Sequence, residues 1–236
     1  MEQTLKNIKL LAESMQNEFN NVSDYIWKSP RLIKHETELE IKKLDWYFPY
    51  DPESAKLRWD FQLNKLNRVF PYLIATGNLF CVLSLFEKYL LLIATELEKY
   101  TKKTIDSVKG NGTERFFNYF KKLELNLDDI EFYDQVQAAI KIRNCLIHAS
   151  GFLRWAKQVK ELKRLQKSGT YLSKEARNRR KTNCGEFNEV QIVNTDLGEK
   201  LQIENEYVFL VSVYLRDFIL GLCQSAVLLI HRSNEQ

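Results

Sequence analysis

The stretch Ile140-Lys141-Ile142-Arg143-Asn144-Cys145-Leu146-Ile147-His148-Ala149-Ser150-Gly151 carries a guanidinium, an amide and an imidazole within six residues of one apolar run. Upstream, Asp128 is placed to cap a helix, Glu131 to reach back to it, and neither Gly nor Pro intervenes before Gly151. The sequence predicts one helix from Asp129 to about Ala149. Spaced at ~100° per residue, Phe132, Tyr133, Val136, Ala139, Ile140, Leu146 and Ile147 fall on one apolar arc, with Arg143 near its middle. A desolvated guanidinium is costly unless a carboxylate receives it, so Arg143 implies a partner from elsewhere in the fold. Asn144 and His148, four apart, project together from the edge of the arc.

Around this stretch the chain reads as mostly α. It has 236 residues, with only 8 Gly and 4 Pro to interrupt runs rich in Leu, Lys, Glu and Ile. A hydrophobic share of 44% against 28% charged residues fits a soluble domain with a substantial core. Cys81, Cys145, Cys184 and Cys223 are scattered, without paired metal-ligand spacing, which fits a reduced cytoplasmic setting and implies no metal or other cofactor. The first residues lack the basic-then-apolar pattern of an export signal.

Leu5, Ile8, Leu11, Met15, Phe19, Val22 and Ile26 recur at helical spacing, so residues 2 to about 28 form an amphipathic helix that packs on its own domain or on a partner. A second helix runs from Arg31 to Trp46 and ends at the proline-broken segment 47–52. Residues 1–50 are taken as an N-terminal helical extension and 51–236 as the main domain. His35 lies among charges and reads as exposed. From Pro52 to about Lys102 the pattern is again helical, interrupted or kinked at Pro71. Its second half is strongly apolar, but Ser84, Glu87 and Lys88 interrupt it, which argues for a core helix over a membrane span. Glu87 is the candidate partner of Arg143; the alternative is that it faces solvent beside Lys88.

The order Arg143-Asn144, three residues, then His148 resembles the signature of the HEPN superfamily of all-helical domains, and Ser84-Leu85-Phe86-Glu87 resembles that family's earlier helix with its acidic residue. The resemblance runs from about Phe70 to the end of the chain and implies a HEPN-like helical bundle. In that family the motif Arg and His often form a metal-independent ribonuclease site, commonly across a dimer; other members have lost catalysis and bind or regulate. The resemblance thus implies Arg143, Asn144 and His148 as catalytic residues with Glu87 and Ser84 in support. It also suggests a homodimer, a role as a toxin or defence effector, and a neutralising or regulatory protein partner. The ~140° between Arg143 and His148 around one helix favours convergence of two copies about a two-fold axis.

Downstream, residues 154–181 hold eleven Lys or Arg against Glu161 and Glu175, a local charge of +9 in a chain of net +4. Arg154, Lys157, Lys160, Lys163, Arg164 and Lys167, followed by Arg177, Arg179, Arg180 and Lys181, form a candidate clamp for an RNA backbone, with Trp155 and Tyr171 available to stack on bases. The plainer reading is a solvated helix face and a flexible loop. Gly110-Asn111-Gly112 marks a loop before a short helix from Thr113 to about Leu123, read as a connector. Residues 189–204 predict a β-hairpin of little functional weight, and a last apolar helix runs from about Glu206 to His231, where Arg216 and Asp217 argue against a membrane span.

The function expected from the sequence is a metal-independent endoribonuclease acting by 2′-hydroxyl transesterification. The alternatives are a non-catalytic module for RNA, a nucleotide or a protein, and a helical dimerisation protein whose basic stretch is merely solvated.

Overall fold

The computed structural model describes residues 2–183 and 185–232, so Cys184 lies outside the described residues. Its elements are mostly α-helical, with a single β-hairpin among the described residues. The first helix, α1 (Glu2–Lys28), buries Ile8, Met15, Phe19 and Ile26 at intervals of seven, four and seven residues, so one stripe faces inward along its whole length. That stripe packs on α4 (Phe70–Thr101) and α9 (Asn205–Arg232), and all three contribute to one continuous core. Of the two placements open to the N-terminal helix, packing on its own domain is the one observed.

Polar bonds pin the same three helices. Ser23 and Ser212 hydrogen bond inside the core at 2.7 Å. Asn78 Nδ2 donates to Asn205 Oδ1 at 3.0 Å, and Asn205 Nδ2 donates to the Ile26 carbonyl at 2.6 Å. The Pro52–Thr101 stretch and α9 are each long and apolar enough to cross a membrane by length and composition alone. Here much of their apolar surface meets each other and α1.

Between α1 and α4 the chain makes a hairpin of α2 (Pro30–Tyr47) and α3 (Pro52–Asn64). Asp51 caps α3 by accepting from the Ser54 amide at 3.1 Å. His35 is exposed. The interruption expected at Pro71 is a π turn over Lys65–Val69. Proline cannot donate to the backbone ladder and crowds the preceding turn; just before it, the Phe70 amide reaches back five residues to Lys65.

The predicted helix around residues 129–149 is shorter. Leu127–Asp129 is a 3₁₀ turn, Phe132 is left-handed at φ +66°, and α6 runs only over Tyr133–His148. Asp128 caps nothing. Buried Leu127 and Ile130 pull the chain inward, Ile130 against Gly221, while the Phe132 ring lies 4.8 Å from that of Tyr214. Tertiary packing outweighs the capping signal. The buried face of α6 is also turned: Ile142 is fully buried, Ile147 is exposed, and Arg143 lies at the margin of the face.

The charged stretch after Gly151 is folded. It forms α7 (Val159–Ser168) and α8 (Lys174–Asn183), anchored by buried Leu162, Leu165, Leu172 and Ala176. Strands β1 (Val190–Thr195) and β2 (Gly198–Ile203) pair antiparallel with Ile192 opposite Leu201. The hairpin docks on the end of α6, where the Leu201 amide donates to the Gly151 carbonyl at 2.8 Å.

Candidate functional site

Arg143 reaches from α6 to α4. Its Nη2 donates to Glu87 Oε1 at 2.6 Å, with the two side chains 19% and 32% exposed, so the carboxylate expected from the sequence is the one that receives it. The same oxygen accepts from Thr113 Oγ1 at 2.7 Å. Thr113 opens α5 (Thr113–Lys122), so one carboxylate oxygen joins three helices. The turn that delivers Thr113 depends on Gly112, whose φ of +55° is costly for residues with a Cβ. Arg143 Nε is buried and meets no protein acceptor among the described residues. One carboxylate therefore carries most of the compensation for this charge.

Asn144 and His148 are exposed, and neither side chain bonds to a described residue. Both line a groove of about 750 Å³ together with Arg143 and Glu87. Thus all three motif residues face one cavity of one chain, although they are spread around the helix. The opposite walls are the loop at Asn111 and Gly112 and the segment from Trp155 to Gln158. Lys141, in the lining, pairs with Glu161 at 2.6 Å and ties α6 to α7. Cys145 also lines the groove, but burial pushes its thiol up, away from the thiolate a nucleophile needs.

At the rim, Trp155 is 55% exposed and the Arg154 guanidinium lies 4.2 Å from its ring centroid. Lys157 lines the groove beside it. Lys160, Arg164 and Lys167 follow along one exposed face of α7 at helical spacing.

The other predicted residues are dispersed. Lys163 pairs with Glu199 at 2.6 Å and Arg164 with Glu161 at 3.8 Å. Arg180 is bound to both Glu189 and Glu206 and works as a structural clamp. Arg177 buries its Nε, while Arg179 and Lys181 are exposed on α8. Ser84 is exposed on α4 outside the groove lining. Tyr171 corrects the expectation of a stacking residue: it is fully buried, edge-on to Tyr207 at 5.4 Å, and its hydroxyl meets Glu189. That ring anchors the link between α7 and α8.

Sequence reasoning missed Thr113, Asn111 and Gln158. The Gly110–Gly112 signal marked a loop, but nothing local indicates that the loop returns to Glu87. Among the described residues no group of three or more His, Cys, Asp or Glu is arranged to hold a metal ion. No family model, curated protein or solved structure matches this chain.

Proposed function

We propose that this protein is a HEPN-like, metal-independent endoribonuclease whose site is the groove beside α6. One observation carries the reading: the unbonded side chains of His148 and Asn144 share that groove with Arg143, beside a rim of Lys157 and the Arg154–Trp155 stack. The rim offers charge for phosphate and a ring for a base.

In the proposed reaction the ribose 2′-oxygen bonds to the adjacent phosphorus while the bond from phosphorus to the 5′-oxygen breaks. The products are a 2′,3′-cyclic phosphate and a 5′-hydroxyl. One proton leaves the 2′-hydroxyl and one reaches the departing oxygen. His148 serves one of these transfers and solvent the other, since the imidazole ring carries nitrogens that can give or take a proton. Arg143 stabilises the charge of the phosphorane, held at the groove wall by Glu87 and Thr113. Asn144 holds a phosphate oxygen or orients the imidazole.

A DNA oligonucleotide carrying a single ribonucleotide tests this chemistry. Cleavage directly 3′ of the ribose, and nowhere in the all-DNA strand, is the expected result; cutting of the all-DNA strand contradicts it. Engagement of Arg143 by Glu87 favours a second reading, a groove that binds RNA, a nucleotide or a protein segment without cutting it. Salt-dependent RNA binding with no cleaved product selects that reading.

A further inference from the structure

The groove at His148 is one of two clefts joined by a row of rings and cations. The second cleft, of about 500 Å³, lies between the π turn and the β-hairpin. Its lining includes Asn67, Arg68, Tyr72, Asn194 and Gln202. None of the three amides bonds its side chain to a described residue. Arg68, exposed on the π turn, has no ion-pair partner among the described residues. π turns occur often at functional sites, where the widened backbone re-aims side chains.

Between the clefts the contacts are continuous. Trp155, in the lining of the first groove, meets Phe152 edge-on at 5.3 Å. The Lys200 ammonium lies 5.3 Å from the Phe152 ring centroid and 4.6 Å from that of Tyr72, which lines the second cleft. The backbone fixes this arrangement, because Phe152 and Lys200 form a β-bridge and Gly151 accepts from Leu201.

The charges along the row differ from several beside it. Lys141, Lys163 and Arg180 are neutralised by glutamates, and Arg164 shares Glu161 with Lys141. Arg154 and Lys200 instead rest on aromatic rings, which leave their net charge in place. With Lys157 and Arg68 they form a line of cations that lack carboxylate partners among the described residues. Charge without counterions, interleaved with rings, suits a flexible strand with its bases turned outward. A duplex hides the base faces and edges that such a surface meets.

We infer that the substrate is single-stranded RNA that runs from the His148 groove across Trp155, Phe152 and Lys200 to the cleft at Tyr72, where Asn67, Asn194 and Gln202 receive the edge of a flanking base. Arg68 takes a phosphate there, and Glu204, the one acidic residue in that lining, accepts from an exocyclic amino group. The inference rests on the RNA reading of the first groove and gives the β-hairpin a substrate-binding role.

Fluorescence anisotropy with a labelled 2′-O-methyl 12-mer tests the track without cleavage, since that strand lacks the attacking hydroxyl. The wild-type protein is expected to bind the strand more tightly than the same sequence as a duplex. Arg68→Gln combined with Lys200→Gln should weaken strand binding at least about fivefold. Lys9→Gln, at an exposed position of α1 outside the lining of both clefts, should leave it unchanged. Equal affinity for strand and duplex, or wild-type affinity in the double variant, overturns the track. Cleavage of ordinary RNA is scored separately. Cutting with an unaffected double variant removes the track and leaves the ribonuclease, whereas variant-sensitive binding without cutting removes the ribonuclease and leaves the track.

Discussion

Arg143 of α6 and Glu87 of α4 form an ion pair at 2.6 Å that Thr113 of α5 completes from the other side. Because the guanidinium is mostly buried, deleting either partner leaves the other poorly compensated. A double-mutant cycle of Glu87→Ala and Arg143→Ala should give a coupling energy of about 1–3 kcal/mol in urea unfolding. Additive losses would show that the two residues are independent.

Thr113→Val keeps the shape and removes one neutral-to-charged hydrogen bond, the 2.7 Å contact with Glu87. Stability should fall by about 1.5–3 kcal/mol. Since the same oxygen holds Arg143, RNA cleavage should fall with it. A variant as stable as wild type would mean that solvent replaces the hydroxyl without loss.

Gly151 has φ +82°, and a Cβ there would lie 2.7 Å from the Leu201 carbonyl oxygen. Gly151→Ala therefore combines backbone strain with a clash against a fixed strand, and should cost about 2–4 kcal/mol. Protection of the β2 amides in hydrogen exchange should drop first. Unchanged stability would contradict the docking of the hairpin on α6.

Thiol reactivity should separate the cysteines. Cys81 is exposed; burial pushes Cys145 up and Cys223 up to about 12. A raised thiol pKa lowers the thiolate fraction at pH 8, and burial also blocks the reagent. In a Cys184→Ser background, native protein should lose one thiol rapidly to iodoacetamide and the other two only on unfolding. Fast modification of Cys223 would contradict the packing of α9.

Because one chain brings Arg143, Asn144 and His148 to a single groove, mixing Arg143→Ala with His148→Ala protein should restore no cleavage. Recovery of activity in the mixture would mean that two copies share the site.

Much of the fold was legible because long helices leave periodic patterns: the inward stripe of α1, the capped start of α3 and the apolar α9 all follow from side-chain spacing. The hairpin was equally plain. The start of α6 was misread because Asp128 and Glu131 form a local capping signal, whereas the chain obeys Leu127, Ile130 and Phe132, whose partners are remote in sequence. α8 was invisible, since only a few apolar residues anchor that charged stretch. At the site, Arg143 announced its partner because a guanidinium beside apolar residues requires one. Thr113 gave no such signal, and neither did the row from Trp155 through Lys200 to Tyr72, which three separate segments assemble.

The most direct measurement is cleavage of a mixed RNA pool in EDTA by wild type and His148→Ala, with product ends determined. His148 is exposed and its side chain is unbonded, so the substitution should change stability by less than about 0.5 kcal/mol and report on chemistry alone. The account predicts 2′,3′-cyclic phosphate ends from wild type and none from the variant. Equal cleavage by both proteins, or none by folded wild type, would contradict it.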